Sequence, residues 1–368
     1  MQLKHISLLN YKNIRQAELE FEPGINCFVG NNGAGKTNLL DSIYYISFCK
    51  SYFNPIDSQL ICHDEEFFVI QAQYEIQNQD EEFYAALRKN RKKQFKRNKK
   101  EYSRLSDHIG LLPLVMISPG DERLISDGSD QRRKFIDGVV SQYNKSYLAS
   151  IIRYNRCLTQ RNALLKSANG RSASIDGQLE VWDEQLASIG SVIFDERSNF
   201  IEELKPVFQK YHRFISGESE VVDIVYHSHH QRASLEEQLK KNRERDLVLG
   251  YTSKGVHRDE LDFLLDGYPI KKNGSQGQTK TFFMALKLAQ YEFLNKHFGY
   301  APVLLLDDMF DKLDDYRAAR LIELMGGDSF HQIFITDTQK SRLLDIVKKT
   351  GKPFRFFNVS GGNITQDN

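Results

Sequence analysis

Apolar and polar positions alternate from the start of the chain. Leu3, Ile6 and Leu8, then Ala17, Leu19 and Phe21, predict strands within residues 1–29, with Pro23-Gly24 as a turn. Residues 25–29 form a further strand that ends at Gly30. The spacing then changes. Leu39, Leu40, Ile43 and Tyr44 share one face of a helix over 36–48. Residues 67–76 alternate again, and the apolar run 111–117 reads as a buried strand ended by Pro119-Gly120.

The middle of the chain has helical spacing. Leu148, Ile151, Ile152, Asn155 and Leu158 recur every three or four residues, and the pattern persists to Leu165. Residues 166–178 are rich in Ser, Gly and Asn and predict a loop. Leu179, Trp182, Leu186, Ile189, Ile193, Phe200 and Leu204 resume the pattern as far as Pro206, which should end or kink the helix. Arms of about 20–30 residues predict an antiparallel helical pair, not an extended coiled coil. After a short strand over 221–226, Ser234 and Glu237 have capping-box spacing. A strand over 261–265 and a helix over 276–296 follow, the helix with Phe282, Leu286, Ala289 and Phe293 on one face. The last seventy residues alternate: strand 303–306, helix 316–325, strand 333–336, helix 340–349, strand 354–359. That order predicts an α/β fold with a largely parallel sheet.

A chain of 368 residues has room for two or three lobes, and its 40% hydrophobic and 27% charged residues are ordinary for a folded protein. We divide it into 1–118, a helical middle 119–298, and 299–368. No stretch approaches the ~18 apolar residues of a membrane span, and residues 1–11 lack the apolar core of a secretory signal. Cys27, Cys49, Cys62 and Cys157 are widely spaced, so buried thiols in a reducing cytoplasm are expected rather than disulfides or a zinc site. The net charge is only +1, but residues 88–104 hold ten Lys/Arg and one acid, Glu101. The rest of the chain is therefore net acidic.

Gly30-Asn31-Asn32-Gly33-Ala34-Gly35-Lys36-Thr37 matches GxxxxGK[ST] between a predicted strand and a predicted helix. Such a loop turns backbone N–H groups toward phosphate oxygens, and the helix start adds its positive dipole end. Lys36 supplies a mobile charge for the β- and γ-phosphates, Thr37 a hydroxyl for Mg²⁺, and Asn38 continues the cradle. The apolar run 303–306 ends in Asp307-Asp308, two carboxylates that need compensation at a buried strand end. Asp307 is assigned to the metal and Asp308 to polarising an attacking water. ATP and Mg²⁺ are the cofactors these motifs call for. The ordinary reading of the pair is an acidic loop or helix cap.

Gly274-Ser275-Gln276-Gly277-Gln278, ahead of the long helix, resembles the LSGGQ signature of ABC-type ATPases, with Gly274 and Gln276 departing from it. Asp314 fits the D-loop position after the 303–306 strand. Further motifs carry a closer likeness: Asn10-Tyr11-Lys12-Asn13-Ile14, the stretch from Asn32 to Leu40, Arg132-Arg133 with Phe135 and Asp137, Gly255-Val256-His257-Arg258-Asp259-Glu260-Leu261, and the stretch from Leu305 to Asp314. Together they resemble the RecF family of bacterial DNA-repair proteins along nearly the whole chain. Gly120, Asp127, Ser129, Val256 and Asp311-Lys312 depart from its pattern. Where the ABC plan has a His after Ile335, this chain has Thr336-Asp337, both candidates for that role.

The resemblance implies an ABC/SMC-type P-loop ATPase head with a helical second lobe. It implies a shared site in which one chain supplies residues 30–38, Asp307 and Asp308, and a second copy supplies Ser275, Gly277 and Gln278. Lys36, Asp307, Asp308 and Ser275 would be catalytic, with slow turnover in an ATP-dependent homodimer. It further implies a cytoplasmic protein without membrane contact that acts on double-stranded and gapped DNA. Its partner would be RecR, with RecO and RecA engaged indirectly. The basic stretch offers Arg91, Lys92, Lys93, Lys96, Arg97, Lys99 and Lys100 to DNA phosphates; its plainer reading is a solvated charged hairpin. An ABC-transporter subunit and a non-hydrolysing ATP-dependent DNA clamp are the rival readings.

Overall fold

The computed structural model describes residues 1–167, 176–217, 220–310 and 315–367. Its first third runs β1 (Gln2–Tyr11), β2 (Ile14–Glu20), β3 (Ile25–Val29), α1 (Lys36–Phe48), β4 (Phe67–Ile76), β5 (Gln79–Arg88), β6 (Gln94–Arg97), β7 (Lys100–Glu101) and β8 (Leu114–Ile117). The middle runs α2 (Arg123–Ser126), α3 (Ser129–Tyr143), α4 (Lys145–Ser167), α5 (Asp176–Ser216), β9 (Val222–His227), α6 (Leu235–Lys241), α7 (Arg243–Leu249), β10 (Glu260–Leu265), β11 (Tyr268–Pro269), α8 (Ile270–Asn273) and α9 (Gln276–Phe298). The chain closes with β12 (Val303–Leu306), α10 (Asp315–Gly326), β13 (Ile333–Asp337), α11 (Lys340–Thr350), β14 (Phe354–Ser360) and β15 (Asn363–Gln366). No helix among the described residues is long and apolar enough to cross a membrane.

Two compact units divide the chain. One is Met1–Asp121 with Phe214–Ser216 and Met284–Asn368; the other is Glu122–Arg213 with Gly217–Phe283. The second division falls within α9, whereas the sequence suggested a break after residue 298.

The first unit contains two six-stranded sheets. One is antiparallel, in the order β2-β1-β4-β5-β6-β7. The other has the order β15-β14-β3-β13-β12-β8 and is parallel except for β15. Strands β3, β8, β12 and β13 are buried along their whole length, as a covered parallel sheet requires. Leu306 pairs with Ile335, and Ile335 with Cys27, so β12, β13 and β3 end near one level. Gly30, Asp307 and Asp337 therefore stand on neighbouring strand ends, the edge where open α/β sheets bind ligands. The two ends of the chain are joined directly. The Gln332 amide accepts from Leu3 N–H at 2.8 Å and donates to the carbonyls of Leu3 and Glu22 at 2.8 and 3.0 Å. Phe21, Phe28, Phe334 and Phe357 pack around this junction.

The second unit holds α2 to α8 and a three-stranded sheet in the order β11-β10-β9. Two expectations change here. α5 is 41 residues long and carries Pro206 in its interior, beyond the arm length expected from the sequence. Phe200, Leu204, Phe208 and Tyr211 are all buried on either side of Pro206, and this burial offsets the lost backbone hydrogen bond. Ser234 does cap α6, but its side chain makes no capping bond. Gln238 instead donates to the carbonyls of His229 and Ala233. All four cysteines are free and buried.

Candidate functional site

The loop after β3 turns at glycines, one required by a close backbone approach and one by its positive φ. A Cβ on Gly30 would lie 2.1 Å from the Val359 carbonyl oxygen. Gly35 has φ +117°, and a Cβ there would lie 2.9 Å from the Asn13 amide. Gly35 is also the N-cap of α1, so the loop feeds straight into a helix N-terminus. Asn31, Asn32 and Gly33 are exposed, Thr37 and Asn38 half-buried. Lys36 is 4% exposed, and its Nζ donates to the carbonyls of Gly30 at 2.8 Å and Asn31 at 3.2 Å. The ammonium group thus lies over the loop it would serve.

The acidic strand end meets this loop. Thr37 Oγ1 donates to the Asp307 carboxylate, 2.9 and 3.1 Å from its two oxygens. Thr336 Oγ1 donates to Asp307 Oδ1 at 2.8 Å. Burial raises the Asp307 pKa from its ordinary value, against the lowering effect of the Thr336 and Thr37 hydrogen bonds. Asp308 follows with φ 45°, and its N–H donates to Thr336 Oγ1 at 2.9 Å. Among the described residues there is no cluster of three or more His, Cys, Asp or Glu that could hold a metal ion. A hydroxyl facing one buried carboxylate instead fits a hard divalent cation that keeps most of its other ligands from water and phosphate.

Several contacts support this loop from outside the phosphate motif, one of them from Asn13 of the family-like stretch 10–14. Asn13 Nδ2 donates to the Ala34 carbonyl at 3.2 Å, and Asn13 Oδ1 accepts from Asn38 Nδ2 at 2.7 Å. Gly362 N–H donates to the same Ala34 carbonyl at 2.8 Å. The loop is thereby held from β2's approach and from the β14–β15 turn. A cavity of about 500 Å³ adjoins it, lined by Gly30, Asn31, Asn32, Gly33, Lys340, Asn358 and Ser360 among others. Asp337 does not face the acidic pair's bonds: Arg342 donates to its two oxygens at 2.8 and 2.9 Å and Gln339 N–H to one of them at 2.7 Å.

In the second unit, Ser275 and Gln278 form a capping box at the start of α9. Ser275 N–H donates to Gln278 Oε1 at 2.8 Å, and Gln278 N–H to Ser275 Oγ at 3.2 Å. Gln278 Nε2 also donates to Glu220 at 2.9 Å. Gly277 lies in the first turn, half-buried. The neighbouring family-like motifs are built into the fold. Arg132 donates to the carbonyls of Leu124 and Asp127, and Arg133 to that of Asp259. Asp259 is buried and accepts from Arg197 at 2.9 Å. His257 bridges Tyr154 Oη and the Thr252 carbonyl, while Arg258 lies 5.0 Å from the Tyr251 ring centroid. Asp314, Asp311 and Lys312 lie outside the described residues.

The basic stretch is a hairpin at a sheet edge, and its cations divide into two sets. Lys93 donates to the Cys49 carbonyl at 2.7 Å and to Asp57 at 2.8 Å. Arg97 is paired with Glu81, and Lys96 lies 5.1 Å from the Tyr84 ring centroid. These three are committed to the fold. Arg91, Lys92, Lys99 and Lys100 are exposed. A cavity of about 550 Å³, lined in part by Arg88, Arg91, Lys92, Lys93 and Tyr102, lies beneath the hairpin.

The sequence matches the RecF/RecN/SMC N terminal domain family over residues 2–358. It is 55% identical over 369 residues to the DNA replication and repair protein RecF of Phocaeicola vulgatus, covering 100% of this chain and 98% of that one. The corresponding protein of Flavobacterium johnsoniae is 48% identical over 359 residues, covering 98% and 100%. Among solved structures, the recombination mediator protein RecF with ATP, from the RecFOR pathway, superposes with a TM-score of 0.90 at 31% identity, covering 100% and 97%. The Smc head domain of Pyrococcus furiosus bound to a ScpA domain has a TM-score of 0.58 at 16% identity, covering 99% and 95%, and so shares the fold.

Proposed function

The chain belongs to the RecF family, and from that premise we propose that it acts in DNA replication and repair as an ATP-driven recombination mediator. It binds ATP, closes as a homodimer on double-stranded or gapped DNA, and reopens after slow, Mg²⁺-dependent hydrolysis in the cytoplasm. One observation carries the reading: Thr37 of the phosphate loop and Asp307 of the acidic strand end, far apart in sequence, share a hydrogen bond. The solved relative that holds ATP supports the same nucleotide.

Loop N–H groups and the α1 N-terminus bind the β- and γ-phosphates. Lys36 exchanges the Gly30 and Asn31 carbonyls for phosphate oxygens. Thr37 and Asp307 would hold Mg²⁺, which neutralises charge on the β- and γ-phosphate oxygens when bound. Asp308 accepts a proton from water as the water oxygen bonds to the γ-phosphorus. The bond from that phosphorus to the β–γ bridging oxygen breaks, leaving ADP and inorganic phosphate.

Each chain has one phosphate loop and one signature loop, Ser275 with Gly277 and Gln278. Two copies would complete two equivalent sites about a twofold axis. ATP then joins the copies, and loss of the γ-phosphate releases them. Arg91, Lys92, Lys99 and Lys100 contribute the DNA phosphate contacts. RecR, with RecO and RecA through it, is the protein partner. The full-length likeness to RecF proteins leaves the transporter reading without support.

Sedimentation of wild type and Lys36→Ala, with and without Mg-ATP and gapped DNA, tests this function. An ATP-dependent dimer that binds DNA and is lost in the variant supports it. A monomer indifferent to nucleotide rejects the shared site.

A further inference from the structure

We infer that Thr336 is a positioning residue for both carboxylates of the acidic strand end, an inference that rests on the ATPase reading above. Thr336 is fully buried near the end of β13. Its hydroxyl makes two bonds of good length: it donates to Asp307 Oδ1 at 2.8 Å and accepts from Asp308 N–H at 2.9 Å. A hydroxyl has one proton to give. The Asp307 bond uses it, and the 3.5 Å approach to Asp308 Oδ1 is too long to compete.

The two bonds do different work. The first fixes the direction of the Asp307 carboxylate. Thr37 also donates to that carboxylate, but its hydroxyl is the group that would turn to the metal when nucleotide binds. Thr336 has no such second task, so it keeps Oδ1 engaged and leaves Oδ2 to face the site. The second bond anchors a strained backbone. Asp308 sits at φ 45°, a left-handed conformation that non-glycine residues adopt only at an energetic cost. The Thr336 oxygen holds its N–H there, and so sets where the Asp308 carboxylate leaves the chain.

The next residue cannot take this role. Asp337 is buried, occupied by Arg342 and by Gln339 N–H, and directed into its own loop. Register explains why Thr336 can: Leu306 pairs with Ile335, so the residue after each faces its counterpart at the strand ends.

The test uses the full chain and two variants. Thr336→Val keeps the shape and removes the hydroxyl; Thr336→Ser keeps the hydroxyl. Metal-free ATP affinity is read by equilibrium dialysis, turnover by phosphate release on gapped DNA, and Mn²⁺ affinity of the ATP-bound chain by electron paramagnetic resonance. Thr336→Val should lower both kcat and Mn²⁺ affinity by about 10- to 100-fold while metal-free ATP affinity stays within about two-fold. Thr336→Ser should recover most of both losses. A valine variant with wild-type turnover and Mn²⁺ affinity overturns the inference alone, and so does a serine variant as impaired as valine, which would point to packing. A wild-type chain that binds ATP without any turnover overturns the ATPase reading and this inference together.

Discussion

Lys12 Nζ lies 2.6 Å from Asp41 Oδ2, and that carboxylate is fully buried on α1, the helix that begins at the phosphate loop. Asp41 also accepts from Tyr11 Oη and Ser51 Oγ at 2.7 Å each, and from Tyr52 N–H at 2.7 Å. One buried charge therefore gathers β1, the turn after it, and the loop following α1. Asp41→Ala would leave a cation, two hydroxyls and an N–H without their acceptor. It should cost about 3–5 kcal/mol of folding stability, measured by urea denaturation at pH 7 without nucleotide. A loss within error of zero would mean that water replaces the carboxylate.

Asp308→Asn keeps the size of the side chain and the backbone N–H bond to Thr336. Turnover should fall by about 100-fold or more, with ATP affinity and the ATP-dependent dimer retained. Phosphate release and sedimentation on the same preparation separate the two. Loss of the dimer would move Asp308 from hydrolysis to nucleotide binding.

Arg91, Lys92, Lys99 and Lys100 together replaced by Ala should weaken DNA binding and flatten its salt dependence, since each phosphate contact contributes roughly 0.9 to the slope. Lys93→Ala and Arg97→Ala should instead lower thermal stability, because each leaves a folded partner unpaired. An unchanged slope in the fourfold variant removes the hairpin from the DNA interface.

His257 gives a pH dependence whose sign is set by burial. Desolvation pushes its imidazole down to about 4, helped by the Arg258, Arg133 and His229 charges and opposed by the bond to the Thr252 carbonyl. The folded state thus refuses a proton that the unfolded state takes up near 6.5. Its stabilisation is complete above that pH and is lost as pH falls toward 4, by about 3 kcal/mol in total. Urea midpoints at pH 7 and pH 5 measure it, and His257→Gln should make the two more alike.

Ser275→Ala should cost only about 1 kcal/mol of stability, the value of a helix cap, yet abolish ATP-dependent dimerisation. Equal dimerisation in wild type and variant would leave Ser275 as a cap and nothing more.

The parts of this molecule that sequence makes legible are those whose chemistry lies within a few residues. Residues 30–37 and the 303–308 run disclose strand, turn and helix by local pattern, and the structure places Thr37 against Asp307. Asn13 stands in a family-like stretch, but that stretch is silent on its role, which depends on the Ala34 carbonyl and Asn38 amide that the fold brings to it. Gln332 is equally silent until Leu3 lies beside it. Ser234 illustrates the opposite error: the spacing to Glu237 is right, but the Ser234 side chain makes no capping bond and the box does not close. Pro206 does not end α5, because apolar burial on both sides of it holds the helix together. Lys93 and Arg97 counted as free cations because charge is visible in a sequence and its partner is not.

The sheet order has a consequence for synthesis. β3, which presents the phosphate loop, has β14 and β13 as its two neighbours, and neither exists until the ribosome has added about three hundred residues more. At cellular elongation rates of about 5–20 residues per second that delay is roughly 15–60 s. During it the loop has a helix to start but no sheet to stand on. A growing chain therefore carries the phosphate loop unsupported until β13 and β14 have been made.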